Sequence, residues 1–183
     1  MQDKKSNRIR QKIKQGRCKL STLKREIKKA KNTKTGIQKI QILNFLKCAP
    51  NFIGCYSENE LSDISITSFP SYFIVNIDRS YMQGSHWISI GIFRDKIEIF
   101  DSLGFKLFNW SRIPCDLLNF LHKFSQSRKI ITLKQIQGDN STLCGYYSIF
   151  YCVCRPFYSF RYLEKLFSSK FSVNDSALIK FFS

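Results

Sequence analysis

Acidic side chains are nearly absent from one end of this chain. Residues 1–47 contain sixteen Lys and Arg but only Asp3 and Glu26, an excess of +14 within a net charge of +17. Long apolar runs are also missing. The longest, Tyr146 to Cys154, falls far short of the roughly 20 residues that a membrane-spanning helix needs. The N-terminus is charged with no apolar stretch behind it, so no secretory signal is expected and the chain reads as intracellular. Histidine is scarce, with only His86 and His122. Seven cysteines form an odd set without a disulfide-framework spacing, and they read as reduced thiols. Cys18, Cys48, Cys55 and Cys115 lack paired metal-ligand spacing, so neither a zinc site nor any other metal is expected. Cys152 and Cys154 sit in an apolar run and read as small buried hydrophobes.

The chain is long enough for one domain with a true core, at 183 residues. Beyond Lys47 the charge is nearly balanced, and most of the aromatic residues fall there. Residues 1–46 therefore read as a basic, flexible extension with a short helix at its end, and residues 47–183 as the folded domain. Ile37, Ile40, Leu43, Phe45 and Leu46 predict that helix, which must end before Pro50. Strands are predicted over 72–78, 86–93, 96–101 and 129–134, with Arg94 and Asp95 turning a hairpin. Helices are predicted over 114–125, about 141–154, 160–167 and 173–182. This order implies an α+β fold around a small, mainly antiparallel sheet.

The chemistry concentrates in Gln137-Gly-Asp-Asn-Ser-Thr-Leu-Cys144-Gly145. A thiol nucleophile must be a thiolate, so an ordinary cysteine needs activation. Cys144 falls in the first turn of its predicted helix, after Asn140 or Ser141 as N-cap, where the helix dipole favours an anion. Gly145 leaves room for backbone beside the nucleophile. His122 lies within an amphipathic helical pattern, which leaves His86 as the base. Asp101, at the end of the next strand, is the acid that would orient His86, with Glu98 a weaker candidate. Gln137 and the Cys144 backbone N–H are the expected oxyanion donors. Trp87 and Gly145 are expected to line the substrate cleft.

These blocks resemble the adenovirus-type endopeptidase family, adenain, and its relatives in Polinton-like transposons and adintovirus-like elements. His86-Trp87 resembles that family's active-site strand. Ile99-Phe-Asp-Ser-Leu-Gly-Phe105 resembles its acidic motif, and Gln137-Gly138, Asn140-Ser141 and Cys144-Gly145 its oxyanion and nucleophile block. Ala49 to Tyr56 is similar to the family's first segment, so the resemblance covers roughly residues 47–183. Adenain itself carries glutamate at the acid position and a longer C-terminal region. Asp101 suits the wider clan, which includes proteases for ubiquitin-like modifiers.

The resemblance implies a papain-like cysteine protease architecture and an endopeptidase that processes viral or transposon structural precursors at glycine-containing sites. It implies a monomer in the host nucleus or the virion, with no membrane partner and no cofactor for the chemistry beyond DNA as an activator. Lys4, Lys5, Arg8, Arg10, Lys12, Lys14, Arg17 and Lys19 would contact that DNA by neutralising phosphates. A nuclear-localisation signal or a merely solvated extension would explain the same charge. Removal of ubiquitin-like modifiers is the rival activity. The rival from another class is an inactive protease fold serving as a DNA-binding or virion protein.

Overall fold

A computed structural model describes Arg25, residues 36–104 and residues 113–182. The elements run α1 (Lys39–Leu46), β1 (Phe52–Ser57), a 3-10 turn (Glu58–Asp63), β2 (Ser71–Asn76), β3 (Trp87–Ile92) and β4 (Lys96–Phe100). They continue with α2 (Cys115–Ser125), β5 (Lys129–Thr132), α3 (Cys144–Cys154), α4 (Phe160–Glu164) and α5 (Phe171–Phe181). The α+β architecture expected from the sequence is observed. β1 is a strand that the sequence reading did not single out.

The five strands lie in chain order, β1-β2-β3-β4-β5. The sheet is mixed rather than mainly antiparallel. The two central pairings, β2–β3 and β3–β4, are antiparallel, whereas β1–β2 and β4–β5 are parallel. The connections explain this. The loop 77–86 and the turn at Arg94 and Asp95 return the chain antiparallel, while the 3-10 turn and α2 lie in crossovers that bring it back to the same end. The hairpin at Arg94 and Asp95 forms as expected, pairing Ile92 with Ile97.

Every residue of β2 and β3 is buried, as expected for strands covered on both faces. On one face Phe73, Val75, Ile88, Ile90, Ile97 and Ile99 pack with Leu117, Phe120 and Leu121 of α2. On the other, Tyr72, Ile74 and Phe100 lie in the core built around α3. All eleven residues of α3 are buried, which fits a helix apolar around its whole circumference.

α1 belongs to this core as well. Ile42 and Leu46, four residues apart on one helical face, have no exposed surface, and Ile37 is 4% exposed. Lys39 Nζ donates to Glu60 Oε2 at 2.6 Å, tying the helix start to the 3-10 turn. Residues 37–46, read from the sequence as the end of the extension, are thus packed into the body that follows. The expected DNA-contacting residues Lys4, Lys5, Arg8, Arg10, Lys12, Lys14, Arg17 and Lys19 lie outside the described residues. So do Cys18 and Phe105. Among the described residues, no helix is long and apolar enough to cross a membrane.

Candidate active site

The start of α3 is brought to the start of β3 by two buried serines. Ser89 Oγ donates to the carbonyl of Ser148 at 2.9 Å, and Ser148 Oγ donates to the carbonyl of Trp87 at 3.2 Å. Small side chains let helix and strand approach, and each hydroxyl finds a backbone acceptor, so neither is a buried orphan. Counting back from this junction, His86 lies three residues up the strand and Cys144 about one helical turn up α3. His86 sits immediately before β3, where its own carbonyl accepts the N–H of Ile77 at 3.1 Å.

His86 Nε2 lies 2.6 Å from Asp101 Oδ1, with the two side chains 9% and 1% exposed. Cys144 is also close enough to the imidazole to act on it electrostatically. With Nε2 committed to Asp101, Nδ1 is the nitrogen left for sulfur. Burial alone would pull the His86 pKa down, but the bond to Asp101 and the interactions with Asp101 and Cys144 outweigh it and raise it to about 10. His86 therefore holds a proton to well above neutral pH. Asp101 is fixed in turn: its Oδ1 accepts the N–H of Leu103 at 2.9 Å.

The turn after Asp101 closes onto the strand of chain that carries Gln137. Gly104 has φ of 76°, and a Cβ there would collide with the backbone of Gln135, so only glycine allows the approach. The Ser102 carbonyl accepts the N–H of Ile136 and of Gln137, both at 2.9 Å. Gln137 is 1% exposed, and its amide is held at both ends, by the Ser102 hydroxyl and the Ser141 carbonyl. Asn174 of α5 donates to the Ile136 carbonyl at 2.8 Å and anchors the segment from behind.

Three local expectations differ. α3 begins at Cys144 itself, with Leu143 in the N-cap position and no capping side chain. Asn140 and Ser141 do not cap it, because the backbone around them is spent inside the loop: Ser141 N–H donates to Gly138 and its carbonyl accepts from Gln137. As the first helical residue, Cys144 presents a backbone N–H that has no partner within the helix. The third difference concerns Gly145. A Cβ there would strike the Ile37 side chain and lie 3.1 Å from the Trp87 ring, so its open side is filled by side chains rather than backbone. Trp87 is 8% exposed and donates from Nε1 to the Ile37 carbonyl at 3.0 Å.

The alternatives separate cleanly. His122 is exposed on α2. Glu98, the weaker candidate for the acid, faces away into a buried network. Arg155 grips it with Nε at 2.6 Å and Nη2 at 2.9 Å, and the Tyr151 hydroxyl donates to it at 2.9 Å. Among the described residues, no group of three or more His, Cys, Asp or Glu is placed to hold a metal ion. Sequence reasoning missed Ser89, Ser148 and Ser102, since a lone serine carries no signal until its partner is known.

No protein-family model and no curated protein matches the chain. Among solved structures it is similar to an AvrA deletion variant with IP6 and CoA, at 16% identity and a TM-score of 0.51. That match covers 85% of this chain and 65% of the other, so the chain spans just under two thirds of its neighbour. It is also similar to the SUMO protease Ulp1 with its catalytic cysteine oxidised to a sulfinic acid, at 14% identity and a TM-score of 0.46, covering 85% and 83%. The C-terminal Ulp1 protease domain in complex with Smt3, the yeast ortholog of SUMO, gives 16% identity and 0.46, covering 84% and 77%. At such identities the likeness concerns the fold.

Proposed function

We propose that the chain is a cysteine endopeptidase in which Cys144 is the nucleophile, His86 the proton carrier and Asp101 the residue that orients it. The observation that carries this reading is the buried His86–Asp101 contact at 2.6 Å, with Cys144 close enough to the same imidazole to help raise its pKa. The steps follow from those positions. Cys144 Sγ, as thiolate, forms a bond to the scissile carbonyl carbon, and the carbonyl π pair moves onto oxygen. Gln137 and the Cys144 N–H stabilise that oxyanion; removing one such donor costs about 2.7–4 kcal/mol. The intermediate collapses, the C–N bond breaks, and the leaving amine takes the proton from His86. The thioester is then attacked by water, which gives its proton to the now neutral His86. The acid departs and the thiolate–imidazolium pair is restored.

The resemblance of the Gln137-to-Gly145 block to adenain supports structural precursors with glycine-containing sites as substrates. It also supports DNA as a guide bound through the basic N-terminal segment. A second reading keeps an acyl thioester on Cys144 but changes both donor and acceptor. The AvrA structure is described with CoA, so the alternative is acyl transfer from a CoA thioester, with CoA leaving as the thiol and a nucleophile other than water taking the acyl group. Turnover by the full chain should be measured on a fluorogenic Gly-Gly peptide, a fluorogenic ubiquitin-like conjugate and acetyl-CoA, each beside Cys144→Ala. Peptide hydrolysis that vanishes in Cys144→Ala is expected. Cleavage of the conjugate alone rejects precursor processing, and CoA release without hydrolysis favours transfer. Activity equal in Cys144→Ala, or none at all, rejects an enzyme acting through this thiol.

A further inference from the structure

One buried hydroxyl lies between the two halves of the proposed machinery. Ser102 is 1% exposed and directly follows Asp101. Its Oγ is 2.6 Å from Gln137 Oε1, and on the far side of the amide Gln137 Nε2 is 2.6 Å from the Ser141 carbonyl. A carbonyl oxygen can only accept, so the amide nitrogen must face Ser141 and the amide oxygen must face Ser102. The Ser102 hydroxyl is therefore a donor. Turned over, the amide would set its oxygen against the Ser141 carbonyl, two acceptors with no proton between them. A primary amide nitrogen carries two N–H groups. Ser141 takes one, and the second is the one left for an oxyanion.

We propose that Ser102 is a positioning residue: its hydroxyl locks the Gln137 amide in the orientation that aims an N–H at the oxyanion. The inference rests on the thiol-protease reading above. It also gives the turn 101–104 a double task. Asp101 orients the base and its neighbour orients the oxyanion donor, so one backbone segment registers both against Cys144.

The test compares wild type, Ser102→Ala, Ser102→Thr, Gln137→Ala and the Ser102→Ala/Gln137→Ala double variant on the Gly-Gly peptide. A lost oxyanion donor lowers kcat about 10²–10³-fold, and a misaimed one part of that. Ser102→Ala should lower kcat about 10–100-fold with KM within about twofold. Ser102→Thr, which keeps the hydroxyl, should recover most of the rate. In the Gln137→Ala background the Ser102 change should cost nothing further, because the group it acts through is gone. Alkylation of Cys144 by iodoacetamide, which develops no oxyanion, should be unchanged by Ser102→Ala. If Ser102→Ala does not fold, Ser102→Cys, a weak donor of similar size, enters the same comparison.

A normal kcat in Ser102→Ala, a loss that repeats in full without Gln137, or a parallel fall in alkylation overturns the positioning role. Those outcomes leave the protease reading standing, since wild type still turns over. A wild type inert towards every acyl substrate rejects the protease reading, and the inference falls with it.

Discussion

Six described cysteines share one chemistry and meet different environments. Burial pushes the Cys55 thiol up to about 12, and pushes those of Cys152 and Cys154 up as well, because an apolar interior disfavours the anion. Cys144 is just as enclosed at 7% exposure, but it faces an imidazole raised to about 10. His86 should hold its proton to well above neutral pH, so its ring NMR shifts should stay those of an imidazolium from pH 6 to pH 8. A free imidazole loses its proton at about pH 6.5. Asp101→Asn removes the strongest interaction raising the His86 pKa and should move the titration towards that of a free imidazole. A wild-type titration already like the free imidazole rejects the His86–Asp101 ion pair. His86 and Asp101 were legible because the chain offers few rivals. Ser102 was not, because its role depends on Gln137 thirty-five residues away.

Helices and strands were easier to find than to bound. The buried run of α3 was plain from its composition, yet its start was expected three residues early. Ser141 and Asn140 favour an N-cap by type, but the Gln137 loop consumes the Ser141 backbone first. α1 shows the opposite error. Its apolar spacing was recognised, but its charged surroundings suggested an appendage, whereas Ile42 and Leu46 are fully buried. Ile42→Ala should therefore destabilise the whole body by about 2–5 kcal/mol, the range for a large-to-small core change. Urea unfolding measures it, and a loss below about 0.5 kcal/mol would mean α1 is dispensable. The Ser89–Ser148 exchange belongs to this scale too. It sets where α3 lies on β3, and so where Cys144 falls relative to His86.

Across the whole molecule, charge and core are kept apart, with most of the excess positive charge before residue 48 and the buried aromatics after it. If the basic segment is the DNA contact proposed above, deleting residues 1–36 should weaken DNA binding and flatten its salt dependence. Each lost phosphate contact removes about 0.7–0.9 from the slope of log K against log salt. Ile37 remains in that variant, so peptide turnover without DNA should be retained. An unchanged slope rejects the segment as the contact, and lost turnover would make the same residues part of the catalytic body. By itself the sequence determined the α+β class and the separation of charge, and it narrowed the candidates for the chemistry to Cys144, His86 and Asp101, because composition, hydrophobic period and a short list of chemically competent residues are local properties. Tertiary structure alone decided the mixed pairing of the sheet, the burial of Glu98 against Arg155, the filling of the Gly145 face by Ile37, and the grip of Ser102 on Gln137. Each of these depends on which distant segments the crossovers bring together, and no spacing along the chain encodes that.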